Sequence, residues 1–402
     1  MNIKYKYMVL ALGALPLAAA AQFTDNKIKI GILTDMSSMY ADFSGQGSVE
    51  AAKMAVEYLG GKIDGKPVEI VFADHQNKVD IGLTVARKWF DVEGVDLIMD
   101  VPQSAVALAV ADLAHQRGKA AIFSSAGTST LTDSKCTPNT ISWTLDTWSY
   151  ATNTAKKTVE SGGNTWFILS VDYELGNALT KDITKAVTDS GGKIVGSVRH
   201  PINTQDFSSF LLQAQASKAN IIALANAGTD NMNAIKQSAE FGIMQGGQNL
   251  AGIFTNLPNV KALGLHAAQG MYLSTTWYWD RNEATRAFAK ELAKRNKGIY
   301  PEAPHAGIYS ALIHYAKAVE KIHTDNGTRV VAAMKQMPTD DPLFGPGRIR
   351  EDGRKIHPIY LMQVKSPAES KHEYDFYKTI STTPAEQAFQ PMEEGNCRLV
   401  SK

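Results

Sequence analysis

The sequence has little of what marks nucleic-acid-binding, metal-binding or membrane-spanning proteins. Its 402 residues include two cysteines and nine histidines with no HExxH spacing, so they give no metal-site signal. The formal net charge is +1, and no basic run offers a surface to nucleic acid. Beyond the first 21 residues, no apolar run approaches the roughly 20 residues that a membrane span requires. The 44% of hydrophobic residues is typical of a globular protein, and we expect no metal and no nucleic-acid partner.

Enzyme motifs are absent as well. The sequence contains no GxSxG motif, and its GxG at residues 45–47 has Glu50 where a dinucleotide loop needs a third glycine. The segment GKIDGKP at 61–67 has Pro67 where a phosphate loop has Ser or Thr, so we interpret it as a turn. We therefore expect no cofactor. The alternative, an exported α/β hydrolase or dehydrogenase acting on a small acid, rests on fold analogy alone.

The N-terminal residues have the pattern of a secretory signal. Lys4 and Lys6 precede an apolar stretch over residues 8–20 that ends in alanines. We expect residues 1–21 to be a signal peptide that is removed on export. Cys136 and Cys397 would then enter an oxidising compartment, where they form a disulfide or stay as two buried free thiols. A bond would be worth roughly 5 kcal/mol in the entropic account of cross-linking, because the loop is long.

Short apolar runs alternate with longer amphipathic stretches along the rest of the chain. The runs predict strands at 28–33, 68–73, 95–99, 119–123, 166–170, 193–198, 220–225, 250–255 and 270–275. The amphipathic stretches predict helices near 47–60, 78–91, 104–117, 147–161, 175–190, 207–217, 230–242, 281–297, 305–323 and 328–337. This alternation predicts an α/β fold with doubly wound parallel sheets. Since one core rarely exceeds about 250–300 residues, we expect two lobes.

The alternation comes in two series, which the segment TISWTLDTWSYA separates. We expect residues 27–146 plus 278–357 to form lobe 1, and residues 147–277 plus 358–402 to form lobe 2. Several hinge crossings would join the lobes, one of them near Asp146 and another within the glycine-punctuated residues 343–365. The tail from Thr382 is expected to be irregular.

Candidate site residues lie in the loops that follow the predicted strands, because ligands of open parallel sheets bind beyond the carboxyl ends of the strands. These loops contain Met39, Tyr40, Phe43, Ser104, the hydroxyl-rich residues 124–132, Tyr173, Asp230, and Trp277 to Trp279. Hydroxyls and free N–H groups at helix starts bind anions, and aromatic side chains enclose an apolar body. The pattern indicates a cleft for a small acid with a hydrophobic or aromatic body. Other roles stay open: Ser104 and Asp230 as helix N-caps, 124–132 as an ordinary loop, and part of the Trp277 segment as packing.

Several segments resemble the periplasmic solute-binding proteins of ABC importers, of the leucine/isoleucine/valine-binding type. IKIGILTDMSSMYADFSGQGSVEAAKMAVE resembles the family's first strand, ligand loop and helix, and GKIDGKPVEIVFADHQNKVDIGLTVARKWFDVEGVDLIM resembles its next two βα units. SVDYELG and PLFGPGRIREDGRKIHPIYLMQVK resemble the helix start of the second lobe and the final hinge crossing. The resemblance implies a type I periplasmic binding protein fold. It also implies a periplasmic receptor, not an enzyme, that traps a small carboxylate and delivers it to permease subunits in the inner membrane.

The resemblance also implies binding residues. It assigns a carboxylate clamp to Ser104, Gly127 and Thr128, an aromatic contact to Phe43, a second-lobe tyrosine to Tyr173, and the acidic position to Asp230, with Trp277 close by. The cargo is then an aromatic acid or a branched-chain amino acid. Amino-acid binders usually have Glu at the acidic position, and the whole sequence resembles more closely a subgroup that takes up small aromatic acids such as benzoate or cinnamate derivatives. That subgroup shares a late cysteine, which implies a Cys136–Cys397 disulfide. We expect a monomer; a ligand sensor that contacts a receptor domain instead of a permease would show the same features.

Overall fold

A computed structural model describes residues 23–400 and forms two mainly parallel sheets flanked by helices. The predicted signal peptide at 1–21 lies outside these residues. Within the described range, no helix combines the length and the apolar character that crossing a bilayer takes.

The first sheet has six strands in the order β2-β3-β1-β4-β5-β6. They are β1 (Ile28–Thr34), β2 (Lys62–Ile63), β3 (Lys66–Asp74), β4 (Leu97–Asp100), β5 (Ala120–Phe123) and β6 (Thr140–Ser142). All neighbours pair in parallel except β2, a short antiparallel strand on β3. All residues of β1 except Lys29 are buried, which is why its sequence is a nearly continuous apolar run.

The second sheet has seven strands in the order β15-β14-β11-β10-β9-β7-β8. They are β7 (Thr165–Val171), β8 (Lys193–His200), β9 (Ile221–Ala227), β10 (Asn249–Phe254), β11 (Tyr272–Thr275), β14 (Ile359–Val364) and β15 (Tyr377–Thr383). The first five pair in parallel, whereas β14 and β15 are antiparallel additions. Between β11 and β14 in chain order, β12 (Arg348–Ile349) and β13 (Lys355–Ile356) form a separate two-stranded ribbon.

Helices connect the strands of both sheets. They are α1 (Gly45–Tyr58), α2 (Val79–Lys88), α3 (Ser104–Arg117), α4 (Thr147–Glu160), α5 (Glu174–Asp189), α6 (Ser208–Ala216), α7 (Gly228–Glu240), α8 (Leu257–Leu263), α9 (Leu265–Ala268), α10 (Glu283–Arg295), α11 (Ala303–Ile322), α12 (Gly327–Lys335) and α13 (Ala385–Ala388). Although α10, α11 and α12 follow β11 in the chain, they belong with the first sheet, because α11 packs on α1 and α12 contacts β5. The chain therefore returns to the first half after building most of the second.

The predicted α/β fold with two doubly wound sheets is confirmed. Each predicted strand and helix corresponds to an observed element, with ends that differ by a few residues. The sequence pattern does not predict β2, β6, α8, α9, α13 or β15, and the tail from Thr382, which was expected to be irregular, contains the end of β15 and the short helix α13. The lobe boundaries stay a prediction.

Three stretches of chain join the two halves. They are residues 143–146 between β6 and α4, 276–282 between β11 and α10, and the chain from β12 to β14. The fully buried guanidinium of Arg354 connects the first and third: it donates to Ser142 Oγ at 2.7 Å and pairs with Asp146 at 3.0 Å. Since a buried cation must be paired and hydrogen-bonded, this contact fixes the two crossings to each other.

The chain after β15 runs back to the first half, to which it is bonded. Cys136 and Cys397 form a disulfide with a Cα–Cα distance of 5.6 Å, which confirms the predicted bridge and excludes two free thiols. The ring centre of Phe389 lies 5.1 Å from the Arg354 guanidinium, and Arg350 donates to the carbonyl oxygen of Gln390 at 2.7 Å. The tail is thus a fourth connection between the halves.

Candidate functional site

Both sheets contain the same switch in strand order. In the first, the chain passes from β1 to β3 on one side and then to β4 on the other; in the second, it passes from β7 to β8 and then to β9. At such a point, successive loops diverge and leave a crevice at the carboxyl ends of the strands. Loops after β1, β4 and β5 meet loops after β7, β9 and β10 at one place, which we call the cleft.

The cleft contains two small cavities of about 20 Å³ each, enough for about one water molecule. The proximal cavity is lined by Tyr40, Phe43, Pro102, Ser125, Gly127, Leu175, Ala227, Gly228, Phe254 and Asn256. The distal cavity is lined by Phe43, Tyr150, Phe254, Thr255, Asn256, Leu273, Ser274, Thr275, Glu302, Ala303 and Tyr377. Because Phe43, Phe254 and Asn256 line both cavities, the cavities are neighbours, and the phenyl rings of Phe43 and Phe254 lie where they adjoin.

The two halves touch each other beside the proximal cavity. A Cβ atom placed on Gly228, at the start of α7, would lie 2.5 Å from the carbonyl oxygen of Met39 in the loop after β1. The hydroxyls of Tyr40 and Tyr173 also contact each other across the cleft. The cleft is therefore closed in this structure, and a ligand larger than water can enter only if the halves separate.

A polar seam between α5 and the loop after β5 extends this contact. Thr128 and Thr130 both donate to Glu174 Oε1 at 3.2 Å, and Ser129 donates to Asp182 Oδ2 at 2.8 Å. Burial raises the pKa of Asp182 to about 6, although hydroxyl donors oppose the shift. The hydroxyl of Thr128, a predicted clamp residue, is therefore engaged by the opposite half and does not line either cavity.

Asp230 lies in the first turn of α7 next to the tyrosine pair. The N-cap of α7 is Ala227, so the alternative role of Asp230 as a cap is wrong. Its carboxyl is fully buried: Oδ2 accepts from the N–H of Asn203 at 3.1 Å, and Oδ1 has no hydrogen-bond partner within residues 23–400. Burial raises its pKa to about 6. Burial also raises the pKa of both Tyr40 and Tyr173, and the charge of Asp230 adds to each shift.

Ser104 is the first residue of α3 and, like Asp230, is not a cap. The N-cap is Gln103, whose side chain accepts from the N–H of Val106 at 2.7 Å. The Ser104 hydroxyl is buried and has no hydrogen-bond partner in the described part of the chain. In the loop after β5, Ser125 and Gly127 line the proximal cavity, so this loop forms part of the cleft wall.

Two of the seven residues predicted to bind the ligand line the cavities, and the other five line neither: Ser104, Thr128, Tyr173, Asp230 and Trp277. Phe43 and Gly127 line cavities, and Tyr173 contacts the proximal cavity's Tyr40. Trp277 is 2% exposed and packs edge-on against Phe288 of α10 with ring centres 5.9 Å apart. Neither cavity includes Trp277 among its lining residues, so its indole belongs to the packing between β11 and α10.

The lining residues that the sequence analysis did not name include Phe254, Asn256, Glu302 and Tyr377. Phe254 ends β10 and Asn256 caps α8, so the rule of inspecting strand ends, applied to that strand, would have found both. Glu302 caps α11 and Tyr377 begins an unpredicted strand, and neither position carries a signal in the sequence. Within residues 23–400, no group of His, Cys, Asp and Glu side chains could hold a metal ion.

Comparisons with known proteins agree with this geometry. The family described as periplasmic binding protein matches residues 27–371. The Leu/Ile/Val-binding protein homolog 6 of Brucella melitensis is 25% identical over 369 residues, covering 89% of this chain and 93% of that protein.

Solved structures have the same fold. A periplasmic binding protein of Burkholderia mallei is 46% identical with a TM-score of 0.91, covering 94% of this chain and 100% of that chain. A branched chain amino acid ABC transporter periplasmic ligand-binding protein of Burkholderia xenovorans is 39% identical with a TM-score of 0.84, covering 93% and 100%. A solute binding protein of R. palustris in complex with benzoate is 21% identical with a TM-score of 0.81, covering 92% and 99%, a likeness of fold. The predicted type I periplasmic binding protein fold is therefore confirmed.

Proposed function

This chain belongs to the periplasmic binding protein family, and from that premise we propose that it captures a small aromatic acid in the cleft and delivers it to the permease of an ABC importer. Family membership supports a binding protein rather than the enzyme alternative. Periplasmic location after removal of a signal peptide, and a monomeric state, are parts of the same proposal.

The observation that carries the proposal is the convergence of helix starts from both halves on one apolar cleft. The helices α1, α3, α5, α7 and α8 all begin just beyond the carboxyl ends of strands. Of these, α5 and α7 have no side-chain cap, so their first N–H groups and their helix dipoles favour an anion. No lysine or arginine lines either cavity within residues 23–400. A carboxylate would therefore be held by backbone N–H groups and by hydroxyls such as that of Ser104, whereas the Ser125 hydroxyl already donates to Asp100 Oδ1.

The apolar walls favour a flat body behind the carboxylate. Phe43 and Phe254 line both cavities, and Tyr150 stacks on Phe254 with ring centres 5.2 Å apart. Aromatic rings prefer such stacked or edge-on neighbours. The lack of a side chain at Gly127 leaves room for this flat body, since a Cβ atom there would lie 3.0 Å from the Phe254 ring and would narrow the cavity.

The proposal is tested by measuring ligand binding to the purified protein. Benzoate, cinnamate, leucine and valine would be compared by thermal unfolding and by calorimetric titration. We expect an aromatic acid to bind at one site with micromolar or tighter affinity and to raise the melting temperature. Preferential binding of leucine or valine would refute the aromatic cargo, and no binding of any acid would refute the function.

A variant pair locates the site. Phe254→Leu keeps apolar volume but removes the ring, and we expect at least about tenfold weaker binding of the aromatic acid. Phe241→Leu is the matched control, because Phe241 is half-buried at the end of α7 and lines neither cavity. Equal affinities in the two variants would contradict a site at Phe254.

A further inference from the structure

The distal cavity differs from the proximal one in its chemistry. The proximal cavity is lined by glycines, one serine, Tyr40, Asn256 and apolar side chains, whereas the distal cavity also has the carboxyl group of Glu302 and two phenols, Tyr150 and Tyr377. Glu302 is 7% exposed. Because desolvating a carboxyl group is costly, such a residue at a ligand cavity needs either internal partners or a ligand group.

The internal partners of Glu302 are few and fix its position. Its carboxyl group accepts from the backbone N–H of Leu257, at the start of α8. Its own N–H donates to His305 Nδ1 at 2.9 Å, which leaves Nε2–H of the same ring to donate to the Ser44 carbonyl at 3.0 Å. Glu302 is thus held between α8, α11 and the loop that carries Phe43.

The neighbouring phenols leave hydrogen-bonding capacity unused. Tyr377 is buried, lines the distal cavity, and its hydroxyl has no hydrogen-bond partner within residues 23–400. Tyr150 accepts from the N–H of Thr276 at 3.3 Å, and the charge of Glu302 adds to burial in raising the pKa of both phenols. Glu302 and Tyr377 come from opposite halves and meet at the distal cavity in this closed structure.

We infer that Glu302 is a specificity-determining residue, which accepts a hydrogen bond from a donor group at the end of the cargo remote from its carboxylate. This inference rests on the proposed function, since it assumes an acid in the proximal cavity. The cargo is then a two-ended molecule: its carboxylate lies near Ser125 and Gly127, its flat body lies between Phe43 and Phe254, and its hydroxyl or ammonium group reaches Glu302 and Tyr377. A site that hydrogen-bonds a ligand group rejects the analogue without it, because the buried polar groups are then unpaired.

The test uses matched ligand pairs that differ only in the remote donor. The pairs are 4-hydroxybenzoate and benzoate, 4-hydroxycinnamate and cinnamate, and 4-(aminomethyl)benzoate and 4-methylbenzoate. The measured quantity is the ratio of dissociation constants within each pair, so general changes in stability or closure cancel. We expect the donor-bearing member of at least one pair to bind about tenfold tighter or more, and the third pair distinguishes ammonium from hydroxyl.

Three variants test whether Glu302 causes the preference for the donor-bearing ligand. Glu302→Gln should lower the ratio by about tenfold while the donor-free acid binds nearly as before, and Tyr377→Phe should lower it less. Glu240→Gln is the matched control: the same substitution on an exposed carboxyl at the end of α7 that lines neither cavity. Its ratio should equal that of the wild type. If Glu302→Gln folds poorly, the ratio of dissociation constants measured for Tyr377→Phe tests the inference instead.

Ratios near one in the wild-type protein would overturn the inference, as would a preference that survives in Glu302→Gln and Tyr377→Phe. Either result, obtained with acids that do bind, leaves the proposed function standing. Failure of every acid to bind is a different outcome, because it overturns the proposed function itself.

Discussion

Replacing Gly228 by alanine should prevent closure of the cleft while both halves stay folded. Gly228 has φ of +59°, and a residue with a Cβ atom costs about 1–2 kcal/mol in this left-handed region. The added Cβ would lie 2.5 Å from the Met39 carbonyl of the other half. Because the halves must separate to relieve this contact, the overpacking cost of about 1–3 kcal/mol falls on the closed state. We expect affinity for the bound acid to fall by about 5- to 150-fold.

Gly60→Ala is the matched control for this substitution. Gly60 has φ of +68°, but nothing lies within 4 Å of a Cβ atom placed there. It therefore imposes a similar backbone cost without a contact between the halves. Calorimetric titration gives the affinities, thermal unfolding gives the stabilities, and small-angle X-ray scattering shows whether ligand makes each protein more compact.

The expected pattern separates closure from stability. Both variants should lose stability by a similar amount, but only Gly228→Ala should lose affinity and fail to become compact on adding ligand. If the two variants bind the acid equally well, then the approach of Gly228 to Met39 is not part of the ligand-bound state, and the reasoning from this contact is refuted.

Three further predictions concern the disulfide, a buried carboxyl and an unpaired hydroxyl. Replacing Cys136 and Cys397 by serine should lower the free energy of unfolding by up to about 5 kcal/mol for a sequence separation of 261, and an unchanged urea midpoint would contradict this. Because the pKa of Asp182 is raised to about 6, the wild type should lose stability as the pH rises from about 4 through 6. Asp182→Asn lacks this titration, so its free energy of unfolding relative to the wild type should rise by about 3 kcal/mol between pH 4 and 7.5 in urea titrations. A difference between the two proteins that does not change with pH would exclude the titration of Asp182 as the cause. Ser104→Ala should leave stability unchanged, because the hydroxyl has no partner within residues 23–400, but should weaken acid binding severalfold; undiminished affinity would remove Ser104 from the clamp.

The elements that sequence reasoning predicts are those whose burial imposes a pattern. Parallel strands covered on both faces require continuous apolar runs, so β1, β7 and β9 are apparent in the sequence. By contrast, β6 has only three residues, and β15 is largely exposed, so neither produces such a run. The strands that the sequence predicts best are therefore those with both faces buried inside a sheet.

The cleft could be predicted in outline and not in detail. Strand ends gave Phe43 and Gly127, because topology alone places those loops together. Trp277 shows the limit, since an indole suits a core and a ligand cavity equally well. Glu302 shows another, because its place beside Tyr377 depends on how the two halves meet, which no local pattern records.

The bond between Cys136 and Cys397 makes a covalent ring that contains the whole second sheet and all three crossings of the hinge. A protease that cuts once inside this ring nicks the backbone without separating the pieces. The nicked protein would keep its halves tethered until a reductant opens the bridge, so damage to a surface loop need not release either half.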